Sequence, residues 1–154
     1  LAVITIRFVE HPGLFDRLCK FWQYGFWADH CDAVLPDGSL LGSRFVGGVQ
    51  ARAADYDAGS VAQEIRISLK ATPEQEAAFY AFLRAQIGKP YDSLAILAFI
   101  VERDWQAPDA WFCDELMAAA LVAAGLLPQK TAIPVSRITV RDLFLLAGTL
   151  AEAV

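Results

Sequence analysis

An α+β fold, an antiparallel sheet packed against helices, is predicted by three observations on this chain. Val3–Val9 alternates apolar and polar residues at the period of a strand, with Ile4, Ile6 and Phe8 on one face and Thr5 and Arg7 on the other. Pro36-Asp37-Gly38 is a hairpin signal between two further short runs, His30–Leu35 and Ser39–Phe45. After Thr72-Pro73-Glu74-Gln75 the apolar spacing changes from two to that of helices. Strands joined by a hairpin and followed by helices make segregated layers rather than a parallel βαβ sheet.

The remaining elements follow in order. His11-Pro12-Gly13 breaks the first strand, leaving His11 as a loop residue, and Leu14–Tyr24 has helical spacing with Cys19 read as core. Gly47-Gly48 loosens the chain, and Val49–Tyr56 is irregular or a short strand. Ala62–Leu69 is a strand with Ile65, Ile67 and Leu69 facing in and Glu64, Arg66 and Ser68 facing out. Thr72 is an N-cap, Pro73 stands at the first helical position and Gln75 completes a capping box. Phe79, Phe82, Leu83 and Ile87 form that helix's buried stripe, and Gly88 ends it. Asp92 or Ser93 caps a helix over Leu94–Val101. A further helix runs from Cys113 to near Gly125, and a last one from Arg141 to about Leu150.

The 154 residues suit one domain, 1–154, and 56% hydrophobic content supplies a core and excludes disorder. The net charge of −5 argues against a nucleic-acid partner, and no Lys/Arg run suggests an anionic membrane surface. The longest apolar runs, Leu94–Val101 and Leu116–Leu127, fall short of the ~20 residues that span a bilayer. No signal peptide pattern is visible, leaving a cytoplasmic or cell-envelope location open. Three cysteines without regular spacing make neither a disulfide framework nor a zinc pattern, and no cofactor is called for.

Trp111-Phe112-Cys113-Asp114-Glu115-Leu116 carries the chemistry. Acids at 114 and 115 suit a first helical turn, so Cys113 sits at the helix N-terminus. Unpaired backbone N–H groups there favour a thiolate, and the Cys113 N–H is placed to hold an oxyanion. A cysteine nucleophile needs a histidine near in space, and the chain has two, His11 and His30.

Trp27-Ala28-Asp29-His30, the Pro36-Asp37-Gly38 turn, Gly88-Lys89-Pro90-Tyr91-Asp92, Phe112-Cys113-Asp114-Glu115-Leu116 and Thr139-Val140-Arg141-Asp142-Leu143 occur in an order that resembles circularly permuted NlpC-type papain-like cysteine peptidases and amidases. Lecithin retinol acyltransferase is a relative with the same permuted order, the histidine hairpin first and the cysteine helix near the end. The resemblance covers most of the chain and implies a permuted papain-like fold with Cys113 as nucleophile and His30 as base. Two positions depart from the pattern. Asp114 stands where the family has a small residue, and a carboxylate there opposes a thiolate. The family's third polar group sits on the return strand of the hairpin, where this chain has Gly42.

Hairpin geometry leaves the replacement open. A two-residue loop, Asp37-Gly38, pairs Asp32 with Ser43 and brings Ser43 to the face of His30. A three-residue loop including Pro36 pairs Asp32 with Gly42 and His30 with Arg44. Asp32 shares the face of His30 in both, although ~7 Å of strand rise works against contact and favours a solvated edge carboxylate. Ser43 and Asp32 are therefore the candidates for a third group. Tyr91 either lines a cleft or packs in its turn, and Trp22, Trp27, Trp105 and Trp111 either wall an apolar groove or fill core. Arg44 and Arg52 either hold a substrate carboxylate or are solvated.

The resemblance implies a cysteine hydrolase cleaving an amide or related acyl bond of a cell-wall peptide or lipid amide, by an acyl-enzyme and without metal. The alternatives are an acyltransferase using the same site, a weakened member that binds such ligands without turnover, and a structural or phage-associated domain keeping only the fold.

Overall fold

Alternation along the first strand gives it one apolar and one polar face, suited to a sheet covered by helices on one side. In the computed structural model, which describes residues 2–13, 17, 20, 21, 23–92, 109–130 and 134–152, the strands are β1 (Ala2–Glu10), β2 (His30–Val34), β3 (Leu40–Arg44), β4 (Gly48–Arg52) and β5 (Gln63–Ala71). They form one sheet in the order β4-β3-β2-β1-β5, and every described pairing is antiparallel. The described helices are α1 (Pro73–Ala85), α2 (Cys113–Ala123) and α3 (Val140–Glu152), with a 3-10 turn at Val135–Arg137. The coarse class is α+β, as expected. No described helix is long and apolar enough to cross a membrane.

The two faces of the sheet differ in chemistry. Ile4, Ile6 and Phe8 of β1, Cys31 and Ala33 of β2 and Leu41 of β3 lie in one apolar cluster with Leu83 of α1, Leu116, Met117 and Leu121 of α2, and Leu143 and Ala147 of α3. Truncating one such fully buried leucine to alanine typically costs about 2–5 kcal/mol, so this layer fixes where α2 lies. The opposite face carries Arg7, which pairs with Asp32 in the β1–β2 ladder and with Arg66 in the β1–β5 ladder.

The hairpin adopts the three-residue loop. Ala33 pairs with Leu41 and Val34 with Leu40, and the Leu35 N–H donates to Ser39 O at 2.8 Å. The Gly38 N–H donates to Leu35 O at 2.9 Å, and Gly38 holds φ +85°, the left-handed residue that closes such a loop.

α1 starts as expected: Thr72 accepts from the Gln75 N–H and Gln75 reaches back to the Thr72 N–H. Phe79 and Leu83 are buried in its stripe, but Ile87 lies beyond the helix end at 47% exposure. β5 is an edge strand, which opens its first half to solvent: Leu69 is buried, Ile67 half-buried and Ile65 36% exposed. The expected helix over Leu94–Val101 lies outside the described residues, as do Cys19, Trp22, Trp105 and most of the expected helix over Leu14–Tyr24.

Candidate active site

Cys113 is the first residue of α2, where backbone N–H groups have no acceptor within the helix. The approach to it is held from several sides at Trp111. The Trp111 N–H donates to Pro90 O at 3.1 Å, its carbonyl accepts the Ser43 hydroxyl at 2.6 Å, and its indole N–H donates to Gln86 Oε1 at 3.1 Å. The turn that supplies Pro90 is itself laid against β4: the Val49 N–H donates to Lys89 O and the Gly88 N–H to Val49 O, both at 2.9 Å. Gly48 permits this approach, since a Cβ there would fall 2.2 Å from Lys89 O. The Gly47-Gly48 pair, expected to loosen the chain, is thus where two segments meet closely.

The structure brings His30 to Cys113. His30 opens β2, and its imidazole bonds the Cys113 thiol and, through Nε2 at 3.0 Å, Asp32 Oδ1. Exposure is 5% for Cys113 and 7% for His30. Burial alone would lower the His30 pKa, but attraction to Asp32 and Cys113 and hydrogen bonds to both raise it to about 10. The Cys113 thiol is held well below its ordinary value, first by a hydrogen bond from Cys31 and then, against burial, by the charge and hydrogen bond of His30. Both shifts act in the direction of an imidazolium–thiolate pair.

Asp32 makes the contact that strand rise argued against, and it is not a solvated edge group: it is 1% exposed on an interior strand. The ring of His30 and the carboxylate lean toward one another along the strand, spanning the two-residue rise. Burial pushes the Asp32 carboxyl up, but His30, Tyr56 and Arg7 bring it down to about 2. The Tyr56 hydroxyl donates to Asp32 Oδ2 at 3.0 Å and lies 3.4 Å from His30 Nε2.

Gly42 explains how the acid fits. A Cβ at Gly42 would stand 2.2 Å from Asp32 Oδ1, so the missing side chain of the return strand is the space the carboxylate occupies. Ser43 is not at the ring. The three-residue loop turns it to the opposite face, that of Leu41, where its hydroxyl is committed to Trp111 O.

Asp114 is half-buried, and its Oδ1 accepts the Glu115 N–H at 2.9 Å. Burial, and then the negative charge of Cys113, push its carboxyl well above the ordinary value. The like-charge conflict at this helix tip is therefore borne by the acid, which keeps its proton to higher pH, and not by the sulfur.

Sequence reasoning missed the buried cluster beside the pair. Arg7 donates to Asp57 from both terminal nitrogens, at 3.0 and 2.8 Å, to Glu64 at 2.7 Å and to Asp32 at 3.3 Å. His11 is no simple loop residue: its ring meets Asp29 at 2.8 Å and Asp57 at 3.3 Å. The one signal in the sequence was a charged residue, Arg7, in the middle of the strand Val3–Val9.

A cleft of about 420 Å3 opens beside Tyr56, lined by Arg44, Phe45, Val46, Arg52 and Ser60. Arg44 donates to the Tyr56 hydroxyl at 2.8 Å and to Asp57 at 3.2 Å. Arg52 donates to the carbonyls of Gly42, Val46, Gly48 and Gln50, so both guanidinium groups are tied to protein and not simply solvated. An edge-to-face chain of rings, Phe45 to Tyr91 at 5.9 Å and Tyr91 to Phe112 at 5.1 Å, runs from the cleft to the residue before Cys113. Trp27 and Trp111 pack half-buried against the core. The described residues contain no cluster of His, Cys, Asp and Glu able to hold a metal ion. Compared with known proteins, the chain matches no protein-family model and no curated sequence.

Proposed function

We propose that this chain is a cysteine hydrolase that cleaves an amide or related acyl bond through Cys113 and His30, with the permuted papain-like fold that its motif order resembles. The observation that carries the reading is the meeting of a helix-tip sulfur with an imidazole whose Nε2 is held by a buried acid.

Cys113 attacks the carbonyl carbon as thiolate, and the Cys113 N–H stabilises the oxyanion of the tetrahedral intermediate. The imidazolium of His30 gives its proton to the leaving group, and the acyl-enzyme forms. His30, now neutral, takes a proton from water, which attacks the thioester carbonyl; the acid product leaves and the thiolate–imidazolium pair returns. Asp32 keeps the ring oriented and its charge balanced, with the Tyr56 hydroxyl as a second donor to the same carboxylate. Acyl groups of cell-wall peptides and lipid amides suit the cleft at Tyr56 with its aromatic rim. If an amine or lipid hydroxyl replaces water, the same site is an acyltransferase.

The test is the pH dependence of Cys113 alkylation by iodoacetamide, joined to mass detection of an acyl-enzyme across a panel of N-acyl peptides and lipid amides. Alkylation is expected well below pH 8.5, and His30→Ala is expected to move it into the ordinary thiol range. A thiol that titrates near 8.5 or above, unchanged by His30→Ala, would overturn the pair. The low exposure of Cys113 and His30 favours one second reading, a member that binds acyl ligands without turnover. Ligand binding unchanged in Cys113→Ala, with no acyl-enzyme in the wild type, would support it.

A further inference from the structure

The hydrolase reading leaves one buried nucleophile unused. Cys31 follows His30 directly in β2 and is a free thiol, as is Cys113. Strand alternation sends the Cys31 side chain to the face opposite His30, the face on which α2 packs. On that same face Ser43 bonds the carbonyl of Trp111, two residues before Cys113. The helix tip is therefore fastened over this part of the sheet, with Cys31 and Cys113 in one buried cluster. The β2–β3 register sets Cys31 opposite Ser43 and so beneath the start of α2, and after burial it is Cys113 that acts most on the Cys31 thiol.

We propose that Cys31 is a resolving thiol: oxidation of Cys113 by hydrogen peroxide closes a reversible Cys31–Cys113 disulfide. The proposal depends on the thiolate at Cys113 and not on acyl chemistry, so it stands beside the hydrolase reading. In the first step the Cys113 thiolate attacks one peroxide oxygen. An S–O bond forms, the O–O bond breaks, and the departing hydroxide becomes water, leaving a sulfenic acid. In the second step the Cys31 sulfur attacks the Cys113 sulfur. The S–S bond forms, the S–O bond breaks, and the hydroxide leaves as water with the Cys31 proton. Two thiols lose two electrons and one peroxide becomes two waters.

The order of steps is built into the pair. Burial, then the hydrogen bond to Cys113 and its negative charge, hold the proton on Cys31. A neutral sulfenic acid at Cys113 removes that charge, so Cys31 is freed to attack once its neighbour has been oxidised. The disulfide would keep the nucleophile from further oxidation to sulfinic acid, which thiol reductants do not reverse.

The experiment uses the full chain with Cys19→Ser, treated with a small excess of hydrogen peroxide and analysed by intact mass and peptide mapping without reductant. The expected product is lighter by about 2 Da, with a Cys31–Cys113 crosslinked peptide, and dithiothreitol restores the starting mass. With Cys31→Ser added, Cys113 is expected to gain about 32 Da instead, and dithiothreitol is expected not to reverse it. Circular dichroism checks that this variant is folded, and Cys31→Ala provides a second form if it is not. A parent protein that goes directly to the sulfinic acid without crosslinking would overturn the proposal, as would a Cys31 variant that oxidises like its parent. Low-pH alkylation with no crosslink would sink the redox role alone, whereas a crosslink with no acyl-enzyme on any substrate would sink the hydrolase alone.

Discussion

His11 and His30 are both buried, both hold a carboxylate on one ring nitrogen, at 2.8 Å from Asp29 and 3.0 Å from Asp32, and their rings stand 6.1 Å apart. They differ in what meets the rest of the ring. For His11 it is Asp57, itself clamped by Arg7 and Arg44, so every neighbour is a charge that needs neutralising. For His30 it is the sulfur of Cys113 at a helix tip. Burial and an aspartate partner are thus common to a structural histidine and a candidate base. What separates the two is a partner able to form and break a covalent bond.

The largest effect expected from breaking this contrast is on chemistry. His30→Ala should slow Cys113 alkylation at pH 6 and any turnover by about 10²–10⁴-fold, the range general acid–base groups contribute, while leaving the far-ultraviolet circular dichroism unchanged. His11→Ala should do the reverse: its alkylation profile should match the wild type, and urea denaturation should show about 1–3 kcal/mol lost because Asp29 Oδ1 loses its ring partner, the residue 11 N–H still donating to Oδ2. If His11→Ala moved the thiol titration as far as His30→Ala does, the distinction between the two would fail.

The next effect is on stability and belongs to the cation both histidines share through carboxylates. Arg7→Leu removes the buried cation between Asp57 and Asp32, leaving Asp57 to Arg44 and His11 and Asp32 to His30 and Tyr56, and should cost about 3–5 kcal/mol by denaturant unfolding. A loss below 1 kcal/mol would mean that the acids find water in its absence.

Stability should also vary with pH through the groups at the candidate site. His30 is raised to about 10 from 6.5, so its contribution is complete below pH 6.5 and is lost as the pH rises through about 10. Asp32 is depressed to about 2 from 3.8, so its contribution is complete above 3.8 and lost as the pH falls through about 2. Cys113 lies below its ordinary 9.0, so its contribution is complete above 9.0 and shrinks as the pH falls through its depressed value. Below pH 9.0 the His30 loss is opposed by the Cys113 gain, whereas from 9.0 to about 10 the His30 loss acts alone and Tm should fall. In His30→Gln the fall near pH 10 should be reduced, which a thermal scan across pH would show.

The smaller effects sharpen the orientation of the ring. Gly42→Ala should displace the Asp32 carboxylate, cost about 1–3 kcal/mol as overpacking, and shift the alkylation profile toward higher pH. Tyr56→Phe removes one of the donors to Asp32 and should shift that profile in the same direction by less than Gly42→Ala does. A Tyr56→Phe effect as large as that of His30→Ala would move Tyr56 from a supporting role to a principal one.

Much of the scaffold was legible because it rests on local chemistry. Thr72 to Gln75 satisfies its own helix start, Gly38 closes its own turn, and Cys113 opens a helix whose apolar residues follow at once. The hairpin register was not legible, since Pro36-Asp37-Gly38 serves a two- or three-residue loop equally well and only the packing of Ala33 and Leu41 decides. Nor was the Arg7 cluster, because its carboxylate partners lie 25 to 57 residues from Arg7 in sequence. The Asp32 contact was lost by counting backbone rise without the reach of the two side chains. That same register also removed Ser43 from the ring and gave it the Trp111 carbonyl.

The 2.2 Å that would separate a Gly42 Cβ from Asp32 Oδ1 has an evolutionary consequence. Neither position is free to change alone: a side chain at 42 evicts the acid, and loss of the acid leaves an empty notch beneath the imidazole. Homologous chains should therefore fall into two groups, those with an acid two residues after the histidine and glycine across from it, and those with a polar residue on the return strand and a small one after the histidine. A lineage passing from one group to the other would have to cross a double substitution, which makes this pair of columns a marker of descent as well as of mechanism.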